Sequence, residues 1–174
     1  GNITRGIYSE EESIFYNQRL LSYSEDAIER EENIHYALLQ VKDPEKIILI
    51  SGNLASCLPE LAKYNPEKVI YVENDPGLIE TTSINADTFP FSIAIEMKDA
   101  YSYIRESAEK IDAVILLLPP PSSLALNRYY TTEFFDQIRT RLSPGGIFMC
   151  SPGAADYYLN KESVLLYSSI FNSL

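Results

Sequence analysis

Tryptophan is absent from this chain of 174 residues, histidine occurs once, and cysteine and methionine occur twice each. A single histidine, His35, excludes a multi-histidine zinc site, and Cys57 and Cys150 offer neither a disulfide framework nor metal-ligand spacing. No metal is therefore expected. Cationic side chains are also scarce: 14 Lys and Arg stand against 25 Asp and Glu, for a net charge of −11. Such a field repels phosphates and argues against a nucleic-acid partner, whereas it draws in small cations. No apolar run approaches the roughly 18 residues that a membrane span needs, and no signal peptide opens the chain. No membrane contact by this segment is expected. Gly1 in place of Met, and an end one helix after the last strand, lead to the expectation of a cytoplasmic segment excised from a membrane-anchored parent.

What the chain does have is a regular alternation of apolar runs and amphipathic stretches. Residues 3–23 alternate loosely, and Ser13–Tyr16 with Arg19–Tyr23 around Asn17-Gln18 read as a β-hairpin region of residues 1–23. Residues 24–174 read as one α/β domain. Ser24 caps a helix with Ala27, Ile34, Leu38 and Val41 on one face, ended by Asp43-Pro44. Strands are predicted at Lys46–Ser51, Lys68–Glu73, Ser92–Glu96, Asp112–Leu118 and Ile147–Ser151. Between them fall helices from near Ser56, from Asp75-Pro76 to Ala86, from Asp99, and from Thr131 or Thr132. A last helix, capped by Asn160, carries Val164, Tyr167 and Phe171. Strands alternating with helices make a parallel sheet, whose ligands bind beyond the carboxyl ends of the strands. A sheet of about five strands leaves an edge that a partner copy, as in a homodimer, would cover.

The stretch from Ile47 to Asp75 has the order strand, glycine turn, helix, strand, acid. Gly52 allows close approach of a ligand to the backbone, and Glu73 lies about 20 residues on, where a carboxylate accepts from ribose hydroxyls. Asp75 reads as a helix cap. Asp99 caps a helix too, and at the third strand's exit it also suits an adenine amino group. His35 is either a packing residue or a pocket residue, and Tyr129 and Tyr130 are candidates to wall a substrate channel for an amine or sulfonium cation.

Together these segments resemble the spermidine synthase (polyamine aminopropyltransferase) family, in particular its membrane-associated bacterial branch. The resemblance lies in Tyr16-Asn17-Gln18-Arg19-Leu20, in the helix Glu32–Leu39, in Ile50–Leu54, in Tyr71–Asp75, in Lys98-Asp99-Ala100, and in Leu126–Thr131 with Leu142–Gly146. It implies a Rossmann-like fold of the S-adenosylmethionine-dependent methyltransferase type, truncated after about five strands. It also implies decarboxylated S-adenosylmethionine or methylthioadenosine held by Gly52, Asn53, Glu73, Asp99 and Ala100. A polyamine would then lie on the side of Tyr16, His35, Tyr129 and Tyr130.

Three departures from the family pattern bear on chemistry. The glycine-rich loop reads Ser51-Gly52-Asn53-Leu54-Ala55-Ser56. The fourth strand, which in the family ends in Asp-x-x-Asp-Pro, here ends in Leu117-Leu118-Pro119-Pro120-Pro121, so Leu117 and Pro120 occupy the catalytic acid positions. The chain also stops short of the family's seven strands. Three readings stay open: an aminopropyltransferase, a non-catalytic nucleoside-binding or structural domain, and a methyltransferase on the same fold.

Overall fold

The computed structural model describes residues 3–8, 11–16, 19–23, 27–80, 82, 84–151 and 161–174. Strands β1 (Ile3–Tyr8), β2 (Glu11–Tyr16) and β3 (Arg19–Tyr23) form an antiparallel sheet in that order. Then follow α1 (Ala27–Leu38), β4 (Lys46–Ile50), α2 (Leu54–Ala62), β5 (Lys68–Glu73), α3 (Pro76–Glu80) and β6 (Ser92–Met97). The chain continues through α4 (Ala100–Glu106), β7 (Ile111–Leu116), α5 (Leu124–Asn127), α6 (Thr132–Arg141), β8 (Leu142–Cys150) and α7 (Lys161–Ser173).

β6-β5-β4-β7-β8 is the order of a five-stranded sheet in which every pair is parallel. Its central strands are apolar along their middles, as in Ile47–Ile50 and Ala113–Leu116, because both faces are covered. The pleat sends Ile48, Ile50, Ile70, Val72, Val114 and Leu116 to one side, where Ile104 of α4, Phe134 and Ile138 of α6 and Ile170 of α7 meet them. Ile47, Leu49, Val69, Tyr71, Ala113 and Ile115 point the other way, against Ile34 and Leu38 of α1 and Leu54, Leu58 and Leu61 of α2. Polar side chains tie down the ends of these elements. Asp112 accepts from the backbone amides of Glu45 (3.0 Å) and Lys46 (2.9 Å), which holds the entry of β4 level with β7. Arg141 donates to the carbonyls of Ile104 (3.0 Å) and Arg105 (2.8 Å), and so satisfies the open end of α4.

Several boundaries differ from the sequence-based expectation. The amino-terminal hairpin gains a first strand, β1, whose Thr4, Arg5 and Gly6 blur its alternation. α2 starts at Leu54, ahead of Ser56, because the Asn53 side chain accepts from the Ser56 amide; Pro59 therefore sits in its second turn. α3 ends at Glu80, short of Ala86. β8 begins at Leu142, and Ser143-Pro144-Gly145-Gly146 forms an irregularity in its pairing with β7, where Ala113 is opposite Ile147. On α7 the inward face is Leu166 and Ile170, while Val164 and Phe171 are exposed. The proposed caps Ser24 and Asn160 and the turn Asn17-Gln18 lie outside the described residues.

Because one Asp112 oxygen serves two amides, Asp112→Ala should cost about 1–3 kcal/mol. Urea denaturation is expected to show a lowered midpoint with an unchanged slope.

Candidate functional site

Register sets the tips of the strands side by side. Ile50 of β4 lies opposite Val72 of β5 and Leu116 of β7, and Glu73 lies opposite Met97 of β6. The segments that follow (Ser51-Gly52, Glu73–Asp75, Lys98-Asp99 and Leu117–Pro121) therefore share one edge of the sheet. The strand order reverses between β4 and β7, and the crevice at such a switch point is where an open α/β sheet takes its ligands.

Glu73 is buried, with 5% of its surface exposed. One carboxylate oxygen accepts from the Ser51 hydroxyl at 2.7 Å, and the other accepts from the amides of Asn74 (2.7 Å) and Asp75 (2.9 Å). Three donors offset the cost of burying the charge. To reach Glu73, Ser51 adopts a left-handed backbone with φ of 61°, which costs a residue with a Cβ. Gly52 continues the turn at φ of 81°, and its carbonyl accepts from the Tyr71 hydroxyl at 2.9 Å. Burial first, and the Glu73 charge second, push the Tyr71 phenol well above its ordinary range, so it remains a donor.

Gly52 also explains the crevice. A Cβ placed there would lie 2.8 Å from Leu117 Cδ1 and 2.9 Å from Leu117 Cβ. Leu117 takes the room that glycine leaves, and its amide donates to the Ile50 carbonyl at 2.9 Å. A hydrocarbon side chain thus lies against the glycine turn at the switch point.

Asp99, the N-cap of α4, is likewise occupied. It accepts from the amide (3.0 Å) and hydroxyl (3.1 Å) of Ser102, from Arg128 Nη2 (3.1 Å), and from the Tyr129 hydroxyl. Burial alone would raise its pKa. The hydrogen bonds from Tyr129 and Ser102 and the Arg128 charge outweigh that and hold it below the usual carboxylate range. The Tyr129 phenol is pushed up, by burial first and then by Asp99, with a smaller contribution from the Glu73 charge.

The remaining candidates divide. Asn53 caps α2, and Ala100 buries its methyl in the core beneath α4. Asp75 caps α3 by accepting from the Gly77 amide at 2.9 Å, as its position before Pro76 suggests. Tyr130 donates to the carbonyls of Leu118 (2.9 Å) and Pro119 (3.3 Å), so it braces the proline exit of β7. His35 is elsewhere. Its ring bonds Tyr64 Oη at 2.6 Å and Glu60 at 2.9 Å, near the carboxyl end of α2, and the structure brings it to neither Glu73 nor Asp99. Glu60 lies about 9 Å along the helix axis from Leu54, at 1.5 Å per residue, toward the opposite edge of the sheet. Tyr16 pairs through its backbone with Ile3 and Arg19; its side chain lies outside the described residues. Cys57 is buried, and burial raises the Cys150 thiol to about 11. Among the described residues no three His, Cys, Asp or Glu side chains converge as a metal site, and no helix is long and apolar enough to cross a membrane.

The family model for the spermine/spermidine synthase domain matches residues 26–168. The chain belongs to this family. Among curated relatives, a polyamine aminopropyltransferase of Oceanobacillus iheyensis is 27% identical over 125 residues, covering 67% of this chain and 24% of the relative. One of Korarchaeum cryptofilum is 30% identical over 136 residues (75% and 42%). Polyamine aminopropyltransferase 2 of Bacillus cereus is 26% identical over 172 residues (91% and 45%). The chain thus spans less than half the length of each of these relatives. In fold it matches a crystal structure of spermidine synthase in complex with the transition state analogue AdoDATO, with a TM-score of 0.77 at 18% identity, over 99% of this chain and 65% of that one. The spermidine synthase of Thermotoga maritima gives a TM-score of 0.73 at 17% identity, over 98% and 62%. The architecture is the Rossmann-like, methyltransferase-type sheet that the sequence resemblance implies.

Three residues of the site escape the sequence reading. Ser51, Tyr71 and Arg128 act through hydrogen bonds to partners 19 to 29 positions away. Tyr71 carries the one available signal, a hydroxyl inside an otherwise apolar strand that must find an acceptor.

Two outcomes follow from these geometries. Ser51→Ala keeps the left-handed strain and strips a donor from a buried carboxylate, so it should destabilise by about 1–3 kcal/mol. Ser51→Gly loses the same bond but relieves the backbone, and should melt higher than Ser51→Ala. For Asp99 the folded pKa lies below the unfolded one, so its contribution is present above the ordinary carboxylate range and lost as pH falls through the depressed value. A thermal-melt series is therefore expected to show a shallower acid limb, below about pH 4, in Asp99→Asn than in the parent chain.

Proposed function

We propose that this chain is a spermidine synthase-family domain that has kept the fold and lost the transfer step, acting as a non-catalytic module. The observation that carries this reading is Leu117, seated against Gly52 at the tip of β7, where the family pattern has a catalytic acid. Aminopropyl transfer needs the lone pair of an amine. A free alkyl amine has a pKa near ~10 and is protonated at neutral pH. Binding the ammonium and taking its proton is work for a carboxylate, worth roughly 10²–10⁴ in rate. Leu117 and Pro120 supply neither charge nor lone pair.

The residues that would hold decarboxylated S-adenosylmethionine do not fit it as they stand. Glu73 already accepts three donors, from Ser51 and two amides, which leaves about one acceptor site, and Asp99 accepts four, from the Ser102 amide and hydroxyl, Arg128 and Tyr129. A second reading, a domain that binds a nucleoside without turning it over, is favoured by one feature. Glu73 and Asp99 still follow neighbouring strands at the same edge of the sheet.

Incubation of the purified chain with decarboxylated S-adenosylmethionine and putrescine, with an active polyamine aminopropyltransferase in parallel, tests the proposal. No spermidine above background at high protein concentration is expected. Turnover by this chain would overturn it.

A further inference from the structure

The bases of nucleosides are flat, and they are held by an aromatic or apolar face together with an acceptor for their amino group. At the Asp99 end of the site those positions are already filled from within the chain. Arg128, just after the short helix α5, sends its guanidinium over the rings of Tyr101 and Tyr129, 5.3 Å from each centroid, within cation–π range. Its Nη2 reaches Asp99 at 3.1 Å. Both rings are fixed by Phe134, which stacks on Tyr101 at 5.6 Å and meets the edge of Tyr129 at 5.5 Å. A guanidinium is planar, delocalised and rich in in-plane donors, so it satisfies the same walls and the same carboxylate that an amino-substituted heterocycle would use.

We propose that Arg128 is an internal plug: its guanidinium occupies the slot formed by Tyr101, Tyr129 and Asp99, and excludes a neutral, planar nucleobase from it. This rests on the reading above, in which the chain's own side chains fill a nucleoside site, and it adds the residue that controls access. The occupant and a base exclude one another, because one Asp99 oxygen already accepts from the Ser102 amide, the Ser102 hydroxyl and Arg128. The plug is also displaceable. Arg128 keeps 49% of its side-chain surface exposed, whereas Tyr129 is buried.

Methylthioadenosine is a suitable probe because it is neutral, so a change in net charge alone leaves its binding unaffected. Calorimetric titration into the parent chain, Arg128→Ala and Arg128→Gln should show tighter binding in both variants. The gain equals the reciprocal of the open fraction, about tenfold for a slot open a tenth of the time. Methylguanidinium should compete with methylthioadenosine in Arg128→Ala. In the parent chain, affinity should rise with potassium chloride as the Arg128–Asp99 pair is screened. This last measurement does not depend on either variant folding. Arg139→Ala, which removes an equal charge paired with Asp136 on α6, should change nothing. Variants that bind no more tightly than the parent, with affinity insensitive to salt, would overturn the plug. Product formation is read separately: spermidine from the parent chain sinks the non-catalytic reading and leaves the plug standing, and unchanged affinity does the reverse.

Discussion

The hydroxyl of Ser51 on the carboxylate of Glu73 joins the tips of two central strands, and the geometry of the site depends on it. A carboxylate buried to this degree persists only with its oxygens satisfied. Two donors come from its own strand exit, and the third comes across from β4. That third bond sets Ser51 in the left-handed region and turns the chain at Gly52. The Gly52 carbonyl then meets Tyr71, and its missing side chain makes room for Leu117. One hydrogen bond thus links the acid at the end of β5 to the seating of Leu117 between β4 and β7.

The same pattern recurs at the other acid. Asp99 gathers donors from α4, from Tyr129 and from Arg128. Each acid sits at the tip of a parallel strand, and each holds the protein's own loops. Electrostatics explains why such a site does not simply lose its acids. Both cap or brace local structure, Asp99 at the start of α4 and Glu73 at the turn after β5, so removing either exposes backbone donors.

The central strands were legible in the sequence because burial on both faces leaves an uninterrupted apolar run, as in Ile47–Ile50 and Ala113–Leu116. The positions of Glu73, Asp99 and Gly52 at the strand tips were legible as well, since strand-end acids and a post-strand glycine have fixed spacing. β1 was not, because Thr4, Arg5 and Gly6 carry little hydrophobic contrast. The inward face of α7 was misassigned to Val164 and Phe171, since that helix is apolar on several sides and only packing selects Leu166 and Ile170. His35, open in the sequence to a packing or a pocket role, has its partners in Glu60 on α2 and Tyr64 just beyond that helix, set by how α1 and α2 cross. The roles of Ser51 and Arg128 have no periodic signature at all. They arise from tertiary proximity, which a linear reading does not contain.

The irregular start of β8 has a bearing on self-association. Among the described residues this strand pairs only with β7, so its outer side offers amides and carbonyls for cross-chain β-addition. Pro144 has no amide to offer, and the bulge through Gly146 bends the first half of the strand out of register. Any templated growth of a fibril-like stack is thereby confined to the short run from Ile147 to Cys150, too brief to hold a foreign strand firmly.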